Sequence, residues 1–429
     1  MKMNKRLILS LCIGVSGIVA TAQTNHQDSV LLALEERVSA QEEAAQTKNK
    51  LKISGYVQGV FGIGQEQASL FIGEANKEAD KDFNRIGIRR GRIKFAYEEK
   101  WGKAVLQLDL TEKGVGLKDV YLDLNSPFGD AGLFRAGVFD RPFGHEIGYS
   151  SSRRESPERS LIVRTLFPNE RDLGAMFMLR AAKTSPWHFL KLEAGLFAGN
   201  GIKPEIDNRK DFIGRLSATR TIGSHAEWGI GLSYYGGGVY QGTSKVFRMK
   251  KDGFELDDAQ ANVGAYARRQ YYGIDAQLSF YSDALGVTSI RGEYIGGTQP
   301  GTESSSKSPN SASLPTVDTY IRPFSGGYAL LAQDLGTLPL TALVKYDWYD
   351  PNTSVSGSAI GSASYTGKAD IGYQTLGLGL LYKVSSAVRL TAYYELINNE
   401  KTPSLASYAA DQKDNRFSFV VQCKFCIGK

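Results

Sequence analysis

From Leu51 onward, apolar and polar side chains alternate with a period of two, in segments of roughly 9 to 12 residues. In AVLQLDLT, for example, Leu106 and Leu108 fall on one face of a strand, and Gln107 and Asp109 fall on the other. The same pattern recurs in KDVYLDL, LVKYDWY, VRLTAYYEL and FSFVVQCKF. Two architectures produce it: a soluble sheet that packs one face on a core, and a closed barrel whose outer face contacts lipid.

Three features of these segments favour the barrel. Their length is what a tilted strand needs to cross a bilayer, their polar faces are charged, and aromatic residues gather near their ends. We count about sixteen segments, joined alternately by tight turns and by longer polar stretches such as residues 296–316, which we expect to be an exposed loop. The sequence therefore predicts an all-β fold, a transmembrane antiparallel β-barrel of about 16 strands over residues 51–429.

The N-terminus has the three parts of a secretory signal peptide. Lys2, Lys5 and Arg6 form a cationic start, and the apolar stretch LILSLCIGVSGIVA is followed by an A-x-A cleavage motif that ends at Ala22. A membrane anchor would need about 20 consecutive apolar residues. We therefore expect residues 1–22 to be cleaved, and the protein to be located in the outer membrane of a Gram-negative bacterium.

Residues 23–50 would then form a short periplasmic segment that precedes the barrel. Within this segment, residues 28–46 contain helix formers and neither glycine nor proline. Their apolar positions follow heptad spacing at first and weaken towards the C-terminal side. The pattern predicts a short N-terminal helix, and it is compatible with a coiled coil that helps the chain to oligomerise.

Composition excludes several classes of protein. Cleavage of the signal peptide removes three cations and no acids, so the formal charge falls from +6 to +3, which is too small to indicate a nucleic-acid binder. Of the four histidines, His145 near Ser150 offers the best nucleophile–base pair, which is too little to predict an enzyme. Cys423 and Cys426 have metal-ligand spacing but no partner ligands, so we expect no metal and no cofactor.

Residues 85–94, RIGIRRGRIK, hold five cations in ten positions. In a strand, Arg90, Arg92 and Lys94 share one face. A cation that faces lipid near the midplane costs about 2–4 kcal/mol, so this face should point into the lumen. Arg89 belongs to the opposite face, and we expect it near the membrane interface or beyond the end of the strand.

Residues 135–174 read RAGVFDRPFGHEIGYSSSRRESPERSLIVRTLFPNERDLG. The order and spacing of RPFGHE, SSSRR, PERS and RDLG, together with the preceding RRGRIKFAYEEKWGKAVLQLDL and LKDVYLDL, resemble the phosphate-selective porin O and P family of outer-membrane channels. The resemblance implies a sixteen-stranded barrel that forms a homotrimer, with a loop around residues 141–171 folded into the lumen. It also implies that cationic side chains on this loop select anions such as phosphate or pyrophosphate.

The resemblance and the cationic strand together define candidate residues for lining the pore or binding anions. Guanidinium and hydroxyl groups both suit phosphate oxygens, through bidentate and charge-assisted hydrogen bonds. The candidates are Arg90, Arg92, Lys94, Arg141, Arg153, Arg154, Arg159, Arg171, Ser151 and Ser152. The expected function is passive diffusion of small anions, such as phosphate or polyphosphate, through the outer-membrane lipid.

The residues themselves leave alternatives open. Lumenal acids such as Asp109 and Asp119 could neutralise the cationic strand. The loop also contains four glutamates that could pair with its arginines and hold its shape: Glu146, Glu155, Glu158 and Glu170. In that case the protein would be a general porin, or a porin for carboxylates or sugars, without phosphate selectivity. A structural or adhesive barrel with a plugged lumen is a further alternative.

Overall fold

The computed structural model describes residues 50–78, 80–126 and 131–427. These residues form eighteen β-strands, one short α-helix (α1, Leu161–Leu166) and four 3₁₀ turns. The strands, in chain order, are β1 Leu51–Gly64, β2 Phe83–Glu99, β3 Gly102–Thr111, β4 Gly114–Asn125, β5 Gly132–Asp140, β6 Arg171–Arg180, β7 Leu190–Phe197, β8 Asp211–Ile222, β9 Ala226–Tyr240, β10 Lys245–Lys250, β11 Gly253–Asp258, β12 Tyr266–Ser282, β13 Gly286–Gly301, β14 Thr319–Asp334, β15 Leu340–Asp350, β16 Tyr373–Lys383, β17 Val388–Asn399 and β18 Arg416–Ile427. The 3₁₀ turns are Gln260–Asn262, Gly357–Ala359, Lys368–Asp370 and Ala406–Tyr408.

Sixteen of these strands form a closed antiparallel barrel. Each pairs with its neighbours in the chain, β9 pairs with β12, and β1 closes the ring by pairing with both β2 and β18. Closure leaves the barrel without edge strands, so every strand has partners on both sides. The prediction of a sixteen-stranded antiparallel β-barrel is confirmed. The predicted signal peptide and N-terminal helix lie outside the described residues.

The outer face of the barrel wall is apolar and the inner face is polar, as the alternation of side chains in the sequence predicts. Large apolar side chains cover the outer face, as at Ile86 (80% exposed), Leu232 (54%) and Ile274 (46%). Most side chains on the inner face are polar or charged and are buried, for example those of Arg90 and Asp275. Within the described ranges, no helix has the length and apolarity needed to cross a membrane.

Connections at the two ends of the barrel differ in length. At one end, here called the short-turn end, strands such as β2 and β3 or β8 and β9 are joined by two or three residues. At the other, the long-loop end, most connections are longer, and the longest spans residues 141–170. The loop expected at 296–316 begins later than predicted, because residues up to Gly301 continue β13 and pair with β14.

A small hairpin, β10 and β11, lies over the long-loop end. Residues Val246, Phe247 and Arg248 of β10 pair in parallel with the start of β14. The hairpin packs on an aromatic cluster that includes a stacked pair, Phe247 and Tyr320, with ring centroids 4.3 Å apart. This hairpin fixes the connection between β9 and β12 above the barrel mouth.

Candidate functional site in the barrel lumen

Residues 141–170, here called the inner loop, fold inside the barrel and include α1. One side of the inner loop is apolar: Phe143, Ile147, Ile162, Leu166 and Phe167 are at most 1% exposed. They pack in one cluster with side chains from the inner faces of β5 to β9 and β12 to β15. Burial of side chains of this size stabilises by about 1.5–3 kcal/mol each, so the cluster is a strong attachment to this part of the wall.

The start of the inner loop is also fixed by its backbone. One carboxylate oxygen of Glu293, on β13, accepts hydrogen bonds from the backbone N–H groups of His145 (3.0 Å) and Glu146 (2.9 Å). Gly144 just before them has φ of +62°, and a Cβ atom there would lie 1.8 Å from the other Glu293 oxygen. Only glycine fits this close, left-handed approach.

The middle of the inner loop is attached to the opposite wall, formed by β1, β2, β17 and β18. The Ser151 hydroxyl bonds to the hydroxyl of Tyr56 (2.6 Å) and accepts from Arg92 (2.9 Å). Arg389 on β17 donates to the carbonyl of Arg154 (2.7 Å), and Gln422 on β18 donates to that of Ser152. The inner loop therefore crosses the lumen and is held at both sides.

All four glutamates of the inner loop form ion pairs. Glu146 binds Lys345 (2.6 Å), Glu155 binds Arg291 (2.8 Å), Glu158 binds Arg89 and Arg90 (2.6 and 3.0 Å), and Glu170 binds Arg159 (2.5 Å) and Lys118 (2.7 Å). Burial alone would raise the pKa values of Glu158 and Glu170, but the adjacent cations hold both well below the ordinary range. These carboxylates are ionised at neutral pH, and they attach the loop to the wall.

Two β-bulges supply the wall cations that bind Glu158 and Glu170. In β2 the register against β1 shifts between Gln58 and Gly59, so that both Arg89 and Arg90 reach Glu158. The expectation that Arg89 lies near an interface or past the strand end is wrong, because the bulge turns it into the lumen. Ile86 and Ile88 face outward on the other side of this bulge.

A second bulge, in β4, has the same effect. The register between β3 and β4 shifts after Gln107, and Lys118 and Asp119 are both buried. Lys118 donates to Glu170, and Asp119 accepts from Arg171 (2.8 Å). The two bulges therefore lie where the wall binds Glu158 and Glu170, on either side of α1.

The other two cations of the predicted strand have different environments. Arg92 is buried and lies 3.4 Å from Asp109, so the alternative of neutralisation by a lumenal acid applies to this residue. Lys94 is half-buried and forms no ion pair or hydrogen bond with a described residue. Its charged neighbours at longer range are Lys103, Asp119, Arg135 and Asp140.

Among the predicted loop residues, three arginines are buried in ion pairs. Arg141 binds Asp172 (3.0 Å), Arg159 binds Glu170, and Arg171 binds Asp119. Ser151 is buried in the contacts described above, and the Ser152 hydroxyl bonds to that of Ser150 (3.0 Å).

Three arginines of the inner loop have no carboxylate partner among the described residues: Arg153, Arg154 and Arg164. Arg153 is exposed. Arg154 is buried and donates only to the carbonyls of Ser156 and Pro157, and its third guanidinium nitrogen has no partner. Burial, with Arg159 and Arg90 nearby, lowers the pKa of Arg154 to about 9. Arg164 donates to a loop carbonyl, and its pKa is lowered by burial and by Arg416.

The residues considered for catalysis or metal binding have the following environments. His145 is stacked on Tyr149, and its Nε2 atom is buried without a hydrogen-bond partner in the described part of the chain. Ser151 bonds to Tyr56 and Arg92 instead. Cys423 and Cys426 are free thiols on the surface of β18.

Sequence reasoning missed several residues that hold the site together: Phe71, Lys118, Arg291, Glu293, Lys345 and Arg389. The sequence does offer a signal for Lys345. In LVKYDWY it falls on the face opposite to Val344, so a charged side chain on this predicted strand should point into the lumen. The inner-loop partners of these residues are 50 or more positions away along the chain, and no spacing rule identifies them.

Solved structures of outer-membrane proteins have a similar fold. The outer-membrane channel DcaP of Acinetobacter baumannii has a TM-score of 0.50 to this chain at 13% sequence identity, over 87% of this chain and 97% of DcaP. OprB of Pseudomonas putida has a TM-score of 0.50 at 10% identity, over 92% of this chain and 97% of OprB. This likeness shows the fold alone. No protein-family model and no curated protein sequence matches the chain.

Proposed function

We propose that the protein is an outer-membrane porin for the passive diffusion of small anions. The carrying observation is the charge balance of the inner loop. Its four glutamates are all bound to cations, whereas Arg153, Arg154 and Arg164 have no carboxylate partner in the described residues. Lys94 on the wall adds a further cation, with no ion-pair partner among the described residues. Charge at the narrowest part of a pore, and not total charge, sets ion selectivity.

The outer surface supports insertion in a membrane. Its side chains are large and apolar along most strands, and closure gives each barrel strand hydrogen-bonded partner strands on both sides, as a membrane-spanning sheet requires. The fold shared with DcaP, described as an outer-membrane channel, agrees with this location. Cleavage after Ala22 and assembly as a homotrimer complete the proposal, and chemical crosslinking in detergent followed by N-terminal sequencing tests both.

Phosphate or polyphosphate is the solute that the sequence resemblance suggests. An alternative is a general porin, or one for carboxylates or sugars, and a specific observation favours it. Arg90, Arg92, Arg141, Arg159 and Arg171 all have carboxylate partners, so fewer guanidinium groups are available to bind a phosphate than the sequence predicts.

Planar-bilayer recording tests the proposal. The purified protein is reconstituted under a KCl gradient, the reversal potential is measured, and phosphate is then titrated against the chloride current. We expect an anion-preferring reversal potential that moves towards zero in the Arg153→Gln/Arg164→Gln variant. Lys77→Gln, which removes an exposed loop cation paired with Glu74, is the matched control. A wild-type channel without anion preference would refute the function, and anion preference without block by phosphate would favour the alternative.

A further inference from the structure

A second loop also enters the barrel mouth. Residues 65–82, here called the first loop, join β1 to β2 at the long-loop end. Leu70 and Ile72 are buried and pack on Val60 and Val420 of the wall. Arg416 of β18 donates to the carbonyl of Ser69 (2.8 Å). These contacts fix the position of Phe71, which lies between Leu70 and Ile72 in the chain.

The backbone of Phe71 is in the left-handed region, with φ of +62°. Large side chains are disfavoured there, and glycine or asparagine adopts the conformation at lower cost. The phenyl ring nevertheless makes contacts that neither residue could make. It lies against three guanidinium groups, those of Arg416 at 4.8 Å, Arg164 at 4.9 Å and Arg89 at 5.5 Å from the ring centroid.

The three arginines differ in what else holds them. Arg89 is bound by Glu158, and Arg416 is bound at 2.5 Å by Glu395. Arg164, on α1, uses only its Nε atom, which donates to the carbonyl of Arg159. Its two terminal nitrogens make no hydrogen bond with a described residue. Among the described residues, the ring of Phe71 is thus the contact that holds the terminal nitrogens of the Arg164 guanidinium in position.

We propose that Phe71 is a positioning residue: it holds the guanidinium of Arg164 at the barrel mouth, where a small oxyanion such as a carboxylate or phosphate meets a fixed positive charge. The attraction between a cation and an aromatic face keeps the group in place without neutralising it, as a carboxylate would. This inference rests on the proposed anion preference. It adds a contribution from the first loop, which lies outside residues 135–174, the segment that carries the porin resemblance.

The experiment compares four variants in planar bilayers by the chloride-to-potassium permeability ratio. Phe71→Leu removes the aromatic face and keeps an apolar side chain, and Phe71→Tyr keeps the ring. Arg164→Gln removes the charge, and the fourth variant combines Phe71→Leu with Arg164→Gln. We expect Phe71→Leu to lower the ratio about twofold and Phe71→Tyr to retain it. The double variant should fall no further than Arg164→Gln, because both changes remove the same interaction.

Tyr266→Leu is the matched control, since it removes a ring 5.2 Å from the guanidinium of Arg209, an exposed arginine that is not in contact with Phe71 or its cluster. It should leave the ratio unchanged. If Phe71→Leu does not assemble into barrels, Phe71→Gly, which relieves the backbone conformation, replaces it. A wild-type ratio in the Phe71 variant, or additive effects in the double variant, would overturn the inference while leaving the porin function intact. A wild-type channel without anion preference would refute the porin proposal instead.

Discussion

Replacement of Glu158 by glutamine tests how the inner loop is held against the wall. The carboxylate binds Arg89 through two hydrogen bonds of 2.6 and 2.9 Å and Arg90 through one of 3.0 Å. The side chains of Arg90 and Glu158 are 5% and 8% exposed, whereas that of Arg89 is 27% exposed. The substitution removes the negative charge and leaves two adjacent guanidinium groups without a carboxylate.

The expected cost follows from this burial. Loss of one partner of a buried ion pair destabilises by about 3–5 kcal/mol, because the remaining charge stays desolvated. We expect the lower end of this range, since glutamine can still accept one hydrogen bond and Arg89 is partly hydrated. A cost of about 3 kcal/mol corresponds to a change of about 10²-fold in the equilibrium for local opening of the loop.

Hydrogen exchange monitored by mass spectrometry measures that opening directly. Peptides that cover residues 150–160 should lose about 10² in protection in Glu158→Gln, while strand peptides on the far wall keep theirs. Glu74→Gln is the control, because Glu74 pairs with Lys77 on the surface, with side chains 74% and 80% exposed. That exposed pair is worth about 0–1 kcal/mol. Equal protection in the two variants would refute the view that this buried pair anchors the loop.

Three further outcomes follow from other parts of the structure. Arg322→Met should destabilise the long-loop end by about 3–5 kcal/mol, seen as faster proteolysis of residues 351–372, because it leaves the buried Asp370 without the guanidinium that it binds at 2.8 Å. Burial lowers the pKa of His145 to about 4 from 6.5, so the stability that the neutral imidazole gives the inner loop should be full above about pH 6.5, fall as the pH drops from 6.5 to about 4, and change no further below that. His145→Gln should flatten the pH dependence of exchange in this loop, and an unchanged profile would contradict it. Gly55→Val should prevent barrel closure, measured as loss of heat-resistant migration in gels, because a Cβ atom would lie 2.2 Å from a carbonyl of β2; Gly59→Ala, with open space around it, should fold normally.

Much of the barrel could be predicted from the sequence alone. Alternation is a local property, because successive side chains of a strand point to opposite faces whatever their partners are. An apolar row next to a charged row, as in AVLQLDLT, therefore assigns Leu106 to the outside and Gln107 to the inside before any partner strand is known. Turn lengths and the number of segments then gave the count of strands.

The electrostatics of the lumen required the tertiary structure. A bulge inserts one residue and reverses the inside–outside assignment on one side of it, which is why Arg89 was placed on the wrong face. Ion pairing depends on distance in space, and Glu146 meets Lys345 across 199 positions of chain. Period and composition determined which residues are cationic and which strands carry them. Only the folded barrel decided which of those cations are neutralised, because each of the four inner-loop glutamates meets a wall cation that is more than 50 positions away along the chain.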